Sequence, residues 1–143
     1  NSPASKIFNK SNVLYNYQNA KNEALKENCC YVVEGFMDVF SLYRCNIKSV
    51  VALMGTAFTS LHAKQLKKLN VELRLCLDGD DAGQHGILKM LPLLDEAKIN
   101  YKIVNYNGDK RDPDEIFNQD GETKLKEIAN NLILKNEFII QYF

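Results

Sequence analysis

The stretch "LRLCLDGDDAGQHGILKML", residues 73–91, decides the fold of this chain. A short apolar run ends abruptly in Asp78-Gly79-Asp80-Asp81, and apolar residues at helical spacing follow it. The run predicts a buried β-strand, and the spacing after the turn predicts a helix. Carboxylates this close together repel one another, so we expect a positively charged partner at the end of this strand.

The same unit of a strand followed by a helix recurs along the chain. Strands are predicted over 29–33, 49–53, 72–77 and 101–106, with helices over 36–45, 59–69 and 82–97 between them. A helix is also predicted over 17–27, and the tail from about 114 to 138 is predicted to be helical, divided at Gly121. Strands that are apolar throughout indicate a parallel sheet covered on both faces. We therefore predict an α/β fold with a parallel four-stranded sheet, helices on both faces and additional C-terminal helices.

The composition suits one compact domain of 143 residues. Eighteen basic residues balance eighteen acidic ones, so net charge gives no argument for nucleic-acid binding, and any such binding needs a local patch. No apolar run reaches the length of a membrane span, which predicts no membrane contact. The first residue is Asn1 rather than Met, and we expect the chain to be a piece of a longer protein.

Cysteine and histidine usage excludes the common zinc sites. None of the four cysteines forms a CxxC pair, and their apolar surroundings predict buried, reduced thiols and a cytoplasmic location. The two histidines, His62 and His85, are expected to be surface residues of helices. A Cys/His zinc site is therefore not expected in this sequence.

Acidic residues follow three of the four predicted strands. Ligands bind outside the carboxyl ends of parallel strands, where the second strand delivers Gly55-Thr56. The acids expected at this edge are Glu34, Asp38, Asp78, Asp80, Asp112 and Asp114. Each one alone is more often a helix cap or a turn residue, but together they repel unless a cation lies between them.

The ligand types indicate which cation this edge would hold. Oxygen ligands without His or Cys favour Mg²⁺ or Mn²⁺ over zinc. Asp78 and Asp80 are expected to turn toward one ion, and Gly79 between them is expected to leave room for its approach. Mg²⁺ in such a site usually shares phosphate oxygens, so phosphoryl transfer is the chemistry that the pattern favours.

Five motifs in chain order carry a resemblance to a known family. The quoted segments are "IFNKSNVLYN", "VVEGFMDVFSLYRCNI" (like EGYMD), "VALMGTAFT" (like LGTA-T), "CLDGDDAG" (like DGDxAG) and "DPDE". They resemble the Toprim-containing part of the RNA polymerase domain of bacterial DnaG-type primases. The Toprim fold is also found in topoisomerases and some nucleases, and its signature acids correspond here to Glu34 and to Asp78 and Asp80.

The resemblance implies a DNA-directed RNA polymerase that makes short RNA primers on single-stranded DNA during replication. It implies Mg²⁺- or Mn²⁺-dependent nucleotidyl transfer from NTPs, with Glu34, Asp78 and Asp80 as catalytic residues. The same three acids and Asp38, Asp112 and Asp114 would hold metal, and Lys10, Gly55 and Thr56 would contact nucleotide or nucleic acid. The implied partners are the DNA template, NTPs, the RNA primer and a replicative helicase, the last through a C-terminal region absent here.

The resemblance also suggests a division of the chain. Residues 1–28 would be the tail of a preceding polymerase subdomain, 29–108 the Toprim domain, and 109–143 an acidic loop with a helical extension. The zinc-binding region of such primases is absent from this sequence, so we expect the chain to bind metal but to prime poorly on its own.

Two alternatives stay open at the level of sequence. The chain could be the Toprim domain of a topoisomerase or nuclease, or a non-catalytic Mg²⁺-binding regulatory module. The aromatic stripe of Phe36, Phe40 and Tyr43 is expected to be core rather than a base-stacking surface.

Overall fold

A computed structural model of the protein describes residues 14–143. Lys10 therefore lies outside the described residues, and its predicted contact with nucleic acid stays a prediction. The strands are β1 (Cys29–Val33), β2 (Val50–Ala52), β3 (Glu72–Leu75), β4 (Tyr101–Val104) and β5 (Leu132–Ile133). The helices are α1 (Tyr17–Glu27), α2 (Phe36–Arg44), α3 (Ser60–Lys67), α4 (Asp81–Glu96), α5 (Pro113–Asp120), α6 (Glu122–Ala129) and α7 (Lys135–Tyr142).

The strands form one sheet in the order β2-β1-β3-β4-β5. The first four are parallel, which confirms the predicted α/β fold, and β5 runs antiparallel to β4 with Ile133 opposite Ile103. The fifth strand differs from the prediction, because residues 132–133 lie in the tail that was predicted to be helical. Two residues are too few to show a strand pattern. Although β5 lies within the predicted extension 109–143, it belongs to this same sheet.

Helices cover both faces of the sheet and enclose two apolar clusters. One cluster joins α1, α3, α4 and α7 to alternate strand residues such as Cys30, Val32 and Leu75. The other joins α2, α5 and α6 to the residues between them, such as Tyr31 and Val33. Side chains alternate across a strand, so β1 is buried on both faces, as its uninterrupted apolar sequence requires. All four cysteines are buried free thiols, in agreement with the sequence.

Two expectations about burial are wrong. His62 is fully buried instead of lying on the surface, because its ring takes part in capping α3. Thr59 N donates to His62 Nδ1 over 3.1 Å, and His62 N donates to Thr59 Oγ1 over 3.3 Å. Phe36 and Phe40 are 43% and 44% exposed, and their rings contact edge-to-face rather than entering the core. Tyr43, the third residue of the stripe, is partly buried and packs against the core, as expected. In residues 14–143, no helix has both the length and the apolarity to cross a membrane.

Candidate metal centre

Three carboxylates from distant parts of the chain meet at the carboxyl edge of the sheet. Asp38 lies in the first turn of α2, Asp78 follows β3, and Asp112 is the N-cap of α5. One oxygen from each lies within 4.8 Å of the other two. The sheet order explains the convergence, since β1, which leads into α2, pairs directly with β3. We call these three residues the carboxylate cluster.

Backbone hydrogen bonds hold two members of the cluster in place. Gly35 N donates to Asp38 Oδ2 over 3.3 Å, and Asp114 N donates to Asp38 Oδ1 over 3.0 Å, so Asp38 joins the starts of α2 and α5. Asp112 caps α5 by accepting from Glu115 N over 2.7 Å, and Asp112 N in turn donates to Glu115 Oε1 over 3.0 Å. This reciprocal box satisfies amide groups that a helix start leaves unpaired.

Two glycines allow neighbouring backbone to pack against the end of β3. A Cβ at Gly79 would lie 2.0 Å from the backbone oxygen of Asp109, and Gly79 N donates to Arg111 O over 3.0 Å. A Cβ at Gly83 would lie 2.2 Å from the backbone oxygen of Asp78. Gly79 therefore makes room for the loop that carries Asp112, rather than directly for an ion as the sequence suggested.

The cluster lacks a positively charged neighbour within the described part of the chain, where none of its members forms an ion pair. Burial raises the pKa of Asp38 to about 7, the backbone N–H of Asp114 opposes this rise, and Asp112 adds to it. Burial, followed by the charges of Glu34 and Asp38, raises the pKa of Asp78 well above its ordinary value. Burial also raises the pKa of Asp112. Three acids thus resist ionisation at one place.

The cluster fits a hard divalent cation. Asp78 Oδ1 is buried and has no hydrogen-bond partner among residues 14–143. A buried polar atom without a partner is costly, and a cation beside it would remove that cost together with the mutual repulsion. The donors are all carboxylate oxygens, which suits Mg²⁺ or Mn²⁺.

The other predicted acids lie around this cluster in different roles. Glu34 follows β1, and its Oε2 accepts from Asp78 N over 2.9 Å, which places its charge beside the cluster. Asp80 caps α4, with Oδ1 accepting from Gly83 N over 2.8 Å. Asp114 Oδ1 accepts from Ser41 Oγ over 2.9 Å. Neither Asp80 nor Asp114 supplies one of the three clustered oxygens, and their role as metal ligands stays a prediction.

Gly55 and Thr56 form the turn after β2, next to Glu34. Met54 N donates to Glu34 O over 2.8 Å, and Thr56 Oγ1 donates to Leu53 O over 2.6 Å. The turn needs left-handed backbone, with φ of 58° at Met54 and 80° at Gly55, which explains the glycine. Gly55 and Thr56, two of the three residues predicted to contact nucleotide, therefore lie beside the predicted catalytic glutamate.

Sequence reasoning did not assign two residues that support the site. Ser41 holds Asp114, as described above, and Tyr106 packs behind Gly79 with its hydroxyl 3.5 Å from Cys76 Sγ. If the register of β3 and β4 is continued, Cys76 lies opposite Val104, and Tyr106 lies two residues further on the same face. The sequence does not give this register, so it did not indicate the contact. Ser41 carried no signal either, because its partner lies on another helix.

A family model described as Toprim-like matches residues 31–117, which is more than half of the chain. The chain belongs to the Toprim-like family. Toprim domains bind divalent metals, in accord with the carboxylate cluster. The sequence is 38% identical over 143 residues to a DNA primase from Lactococcus lactis, and the match covers 99% of this chain and 22% of that protein. The chain thus spans about a fifth of the length of this curated relative.

Solved structures of primases share this Toprim fold. The chain is similar to the zinc-binding and RNA polymerase domains of the Aquifex aeolicus primase, with a TM-score of 0.83 and 31% identity over 95% of this chain and 34% of that one. It is also similar to a DnaG primase catalytic domain bound to single-stranded DNA, with a TM-score of 0.75 and 27% identity over 94% of this chain and 43% of that one. The recognition of a DnaG-type primase segment is confirmed.

Proposed function

We propose that this chain supplies the metal-binding catalytic centre of a DNA primase. The whole protein would be a DNA-directed RNA polymerase that makes short RNA primers on single-stranded DNA by nucleotidyl transfer from NTPs during replication. The observation that carries the proposal is the carboxylate cluster, in which one acid is buried and two are half-buried, together with the buried Asp78 Oδ1, which has no hydrogen-bond partner among residues 14–143. The similarity to primases along nearly the whole chain favours this function over a topoisomerase, a nuclease or a regulatory module.

The proposal gives each acid a role. Asp38, Asp78 and Asp112 would hold Mg²⁺ or Mn²⁺, which when bound supplies Lewis-acid stabilisation of charge on phosphate oxygens. Glu34 would accept the proton of an attacking hydroxyl, a role supported by its bond from Asp78 N beside the cluster. Asp80 and Asp114 each have one oxygen engaged in a hydrogen bond, and the other oxygen remains available to a cation or to water.

The partners follow from the same proposal. Gly55, Thr56 and Lys10 would contact nucleotide or nucleic acid, and the template would be single-stranded DNA. The similar DnaG domain bound to single-stranded DNA supports the template. NTPs, the RNA primer, a replicative helicase and a cytoplasmic location belong to the proposed process as a whole. The chain alone is expected to bind metal but to prime poorly.

A Mn²⁺ titration of the full 143-residue chain tests the proposal directly. Binding is measured by calorimetry and by paramagnetic broadening of NMR signals, for the wild type, Asp78→Asn and a control, Asp120→Asn. Asp120 is paired with Arg111, so its loss should leave Mn²⁺ affinity unchanged. Asp78→Asn removes one charged oxygen ligand from the cluster and should weaken binding about 100-fold.

Two results would contradict the proposal. One is a wild-type chain without saturable Mn²⁺ binding. The other is equal affinity in Asp78→Asn and Asp120→Asn, which would mean that the cluster is only structural. Priming activity is a poorer first measurement, because a missing subdomain would explain its absence.

A further inference from the structure

A cavity of about 280 Å³ lies beside Glu34, between the turn after β2 and the first half of α4. We call it the Glu34 slot. Its lining includes Phe58, Leu77, Ala82, Gly86 and Met90, together with the turn at Gly55. Its size approaches the lower limit of about 300 Å³ for small-molecule sites, which suits one ring system rather than a whole nucleotide.

The shape of the slot suits a flat ring. Ala82 and Gly86 are four residues apart on α4, so they lie one above the other on the same helix face. With only a methyl group and a hydrogen there, this part of α4 is a flat surface. Leu77 and Met90 are 3% and 1% exposed and close the slot with apolar atoms. Phe58 adds an aromatic ring to the lining, and aromatic side chains are common stacking partners of nucleobases.

The polar groups of the slot indicate which part of a nucleotide it would take. Glu34 is the only charged residue of the lining, and a carboxylate disfavours phosphate. The backbone N–H groups of Gly55 and Ala57 have no hydrogen-bond partner within residues 14–143. An apolar lining with a few unpaired donors fits a neutral, planar group that carries hydrogen-bond acceptors.

Glu34 joins the slot to the carboxylate cluster. Glu34 lines the slot, and its carboxylate accepts from Asp78 N over 2.9 Å. A ring in the slot would therefore have its attached sugar close to the cluster, and phosphates attached to that sugar would be directed away from the apolar lining.

We propose that the Glu34 slot binds a nucleobase, with the sugar of that nucleotide lying toward Glu34. The inference rests on the proposed function, since it names the group that the same site would position. The base belongs either to an NTP or to the end of a nucleic-acid strand, because the recognised chemistry is the same in both.

Two substitutions at one position test the slot. Ala82 lies in the exposed first turn of α4, so Ala82→Leu extends a side chain into the slot with little demand on folding. Ala82→Ser is the matched control, because it changes the same residue but leaves the slot open. Gly86→Ala is a second, milder filling variant, since its Cβ would lie 3.2 Å from Leu77 Cδ1.

Binding is measured by saturation-transfer NMR with Mg²⁺ present and three probes, namely ATP, ribose 5-triphosphate and a short single-stranded oligonucleotide. Ala82→Leu should weaken ATP binding at least tenfold and leave the binding of ribose 5-triphosphate unchanged. Ala82→Ser should bind both probes as the wild type does. Gly86→Ala should weaken ATP about threefold. If only the oligonucleotide is weakened by Ala82→Leu, the base in the slot belongs to a strand.

The inference is overturned if filling the slot weakens the binding of neither ATP nor the oligonucleotide. It is also overturned if the binding of ribose 5-triphosphate is weakened equally, or if the wild type binds neither base-containing probe. If Ala82→Leu does not fold, Gly86→Ala decides by the same criteria. Mn²⁺ affinity without nucleotide should stay unchanged in all variants, and it separates the two proposals. If the wild type binds Mn²⁺ but the slot variants bind the probes as the wild type does, only the nucleobase proposal is rejected. If the wild type does not bind Mn²⁺, the proposed metal centre is rejected.

Discussion

Asp109 and Asp112 lie on the same loop, yet their carboxylates have opposite electrostatic surroundings. Asp109 Oδ2 lies 2.7 Å from Arg111 Nη2, which also lies 2.7 Å from Asp120 Oδ2. The hydrogen bonds from Arg111 lower the pKa of Asp109 and of Asp120. Asp112 belongs to the carboxylate cluster instead, and burial raises its pKa. We call the trio of Asp109, Arg111 and Asp120 the neutralised group.

This contrast distinguishes acids whose charge is balanced by a neighbouring arginine from acids whose charge is not balanced by any described residue. The neutralised group carries its own positive charge, so it needs nothing from solution. The carboxylate cluster has no such charge among the described residues, and its repulsion is relieved only by protons or by a metal ion. The number of acids in a loop therefore says little about metal binding, whereas the direction in which their pKa values shift says much.

The largest effect of a substitution is expected at Gly79, where the loop that carries Asp109 and Asp112 contacts the end of β3. Gly79→Ala would place a Cβ 2.0 Å from Asp109 O, so the loop must move and carry Asp112 with it. We expect a loss of about 3 kcal/mol in the free energy of unfolding and a strong loss of Mn²⁺ affinity. Urea unfolding and the Mn²⁺ titration measure the two effects.

Gly35→Ala is the matched control for this change. Its added Cβ would lie 3.8 Å from Asp38 Oδ2, an ordinary contact, and its backbone needs no positive φ. We expect a change within about 1 kcal/mol. Equal effects at the two glycines would show that the close approach at Gly79 does not hold the loop.

The second effect is a pH dependence of stability, measured without divalent metal. The pKa of Asp38 is raised from 3.8 to about 7 by burial, so the folded chain holds a proton that the unfolded chain releases. The folded state then binds more protons, and the free energy of unfolding falls as pH rises from about 4 to about 7. We expect a fall of about 3 kcal/mol, and saturating Mg²⁺ should reverse it at pH about 8.

The neutralised group predicts the opposite slope in a lower range. Lowered pKa values at Asp109 and Asp120 contribute stability above their ordinary value, and this stability is lost as pH falls below about 4. Unfolding curves from pH about 3 to about 8 therefore contain both contributions. Stability that does not change between pH 4 and 8, with or without Mg²⁺, would contradict the account of the carboxylate cluster.

The smallest effect is expected for two Asp→Asn substitutions, at Asp78 and at Asp109, which should change the free energy of unfolding in opposite directions. Without metal at pH about 8, Asp78→Asn removes a repelled charge and should raise the free energy of unfolding by about 1 kcal/mol, allowing for the water that still reaches this carboxylate. Asp109→Asn removes an acid paired with Arg111 and should lower the free energy of unfolding. Chemical unfolding of both variants with the wild type measures the difference, and losses in both would remove the distinction between the two groups.

The sequence predicted the parts of the fold that depend on long, regular patterns. Four apolar strands, each followed by a helix, were enough to place the acids at one edge, since parallel strands have all their carboxyl ends there. The two-residue strand β5 was not predictable, because its pairing with β4 is a tertiary contact without a local pattern. The burial of His62 was missed for a related reason, since its bond to Thr59 N changes how a polar ring can be accommodated.

Spacing could not decide which acids form the cluster. Asp78 and Asp80 are equally suited by sequence, but Asp80 is engaged by Gly83 N at the start of α4. Asp112 and Asp114 differ in the same way, because Asp114 accepts from Ser41. Capping and side-chain bonds depend on rotamers and on other helices, so they lie beyond what the order of residues can show.

The wide separation of the cluster along the chain has a consequence for synthesis. Asp38, Asp78 and Asp112 come from three segments that meet only when β1 and β3 are paired and α5 has begun. A growing polypeptide cannot assemble this cluster until Asp112 has left the ribosome. Until then the site lacks one of its three carboxylates, so an ion held by all three can bind only after the segment that carries Asp112 has been made and folded.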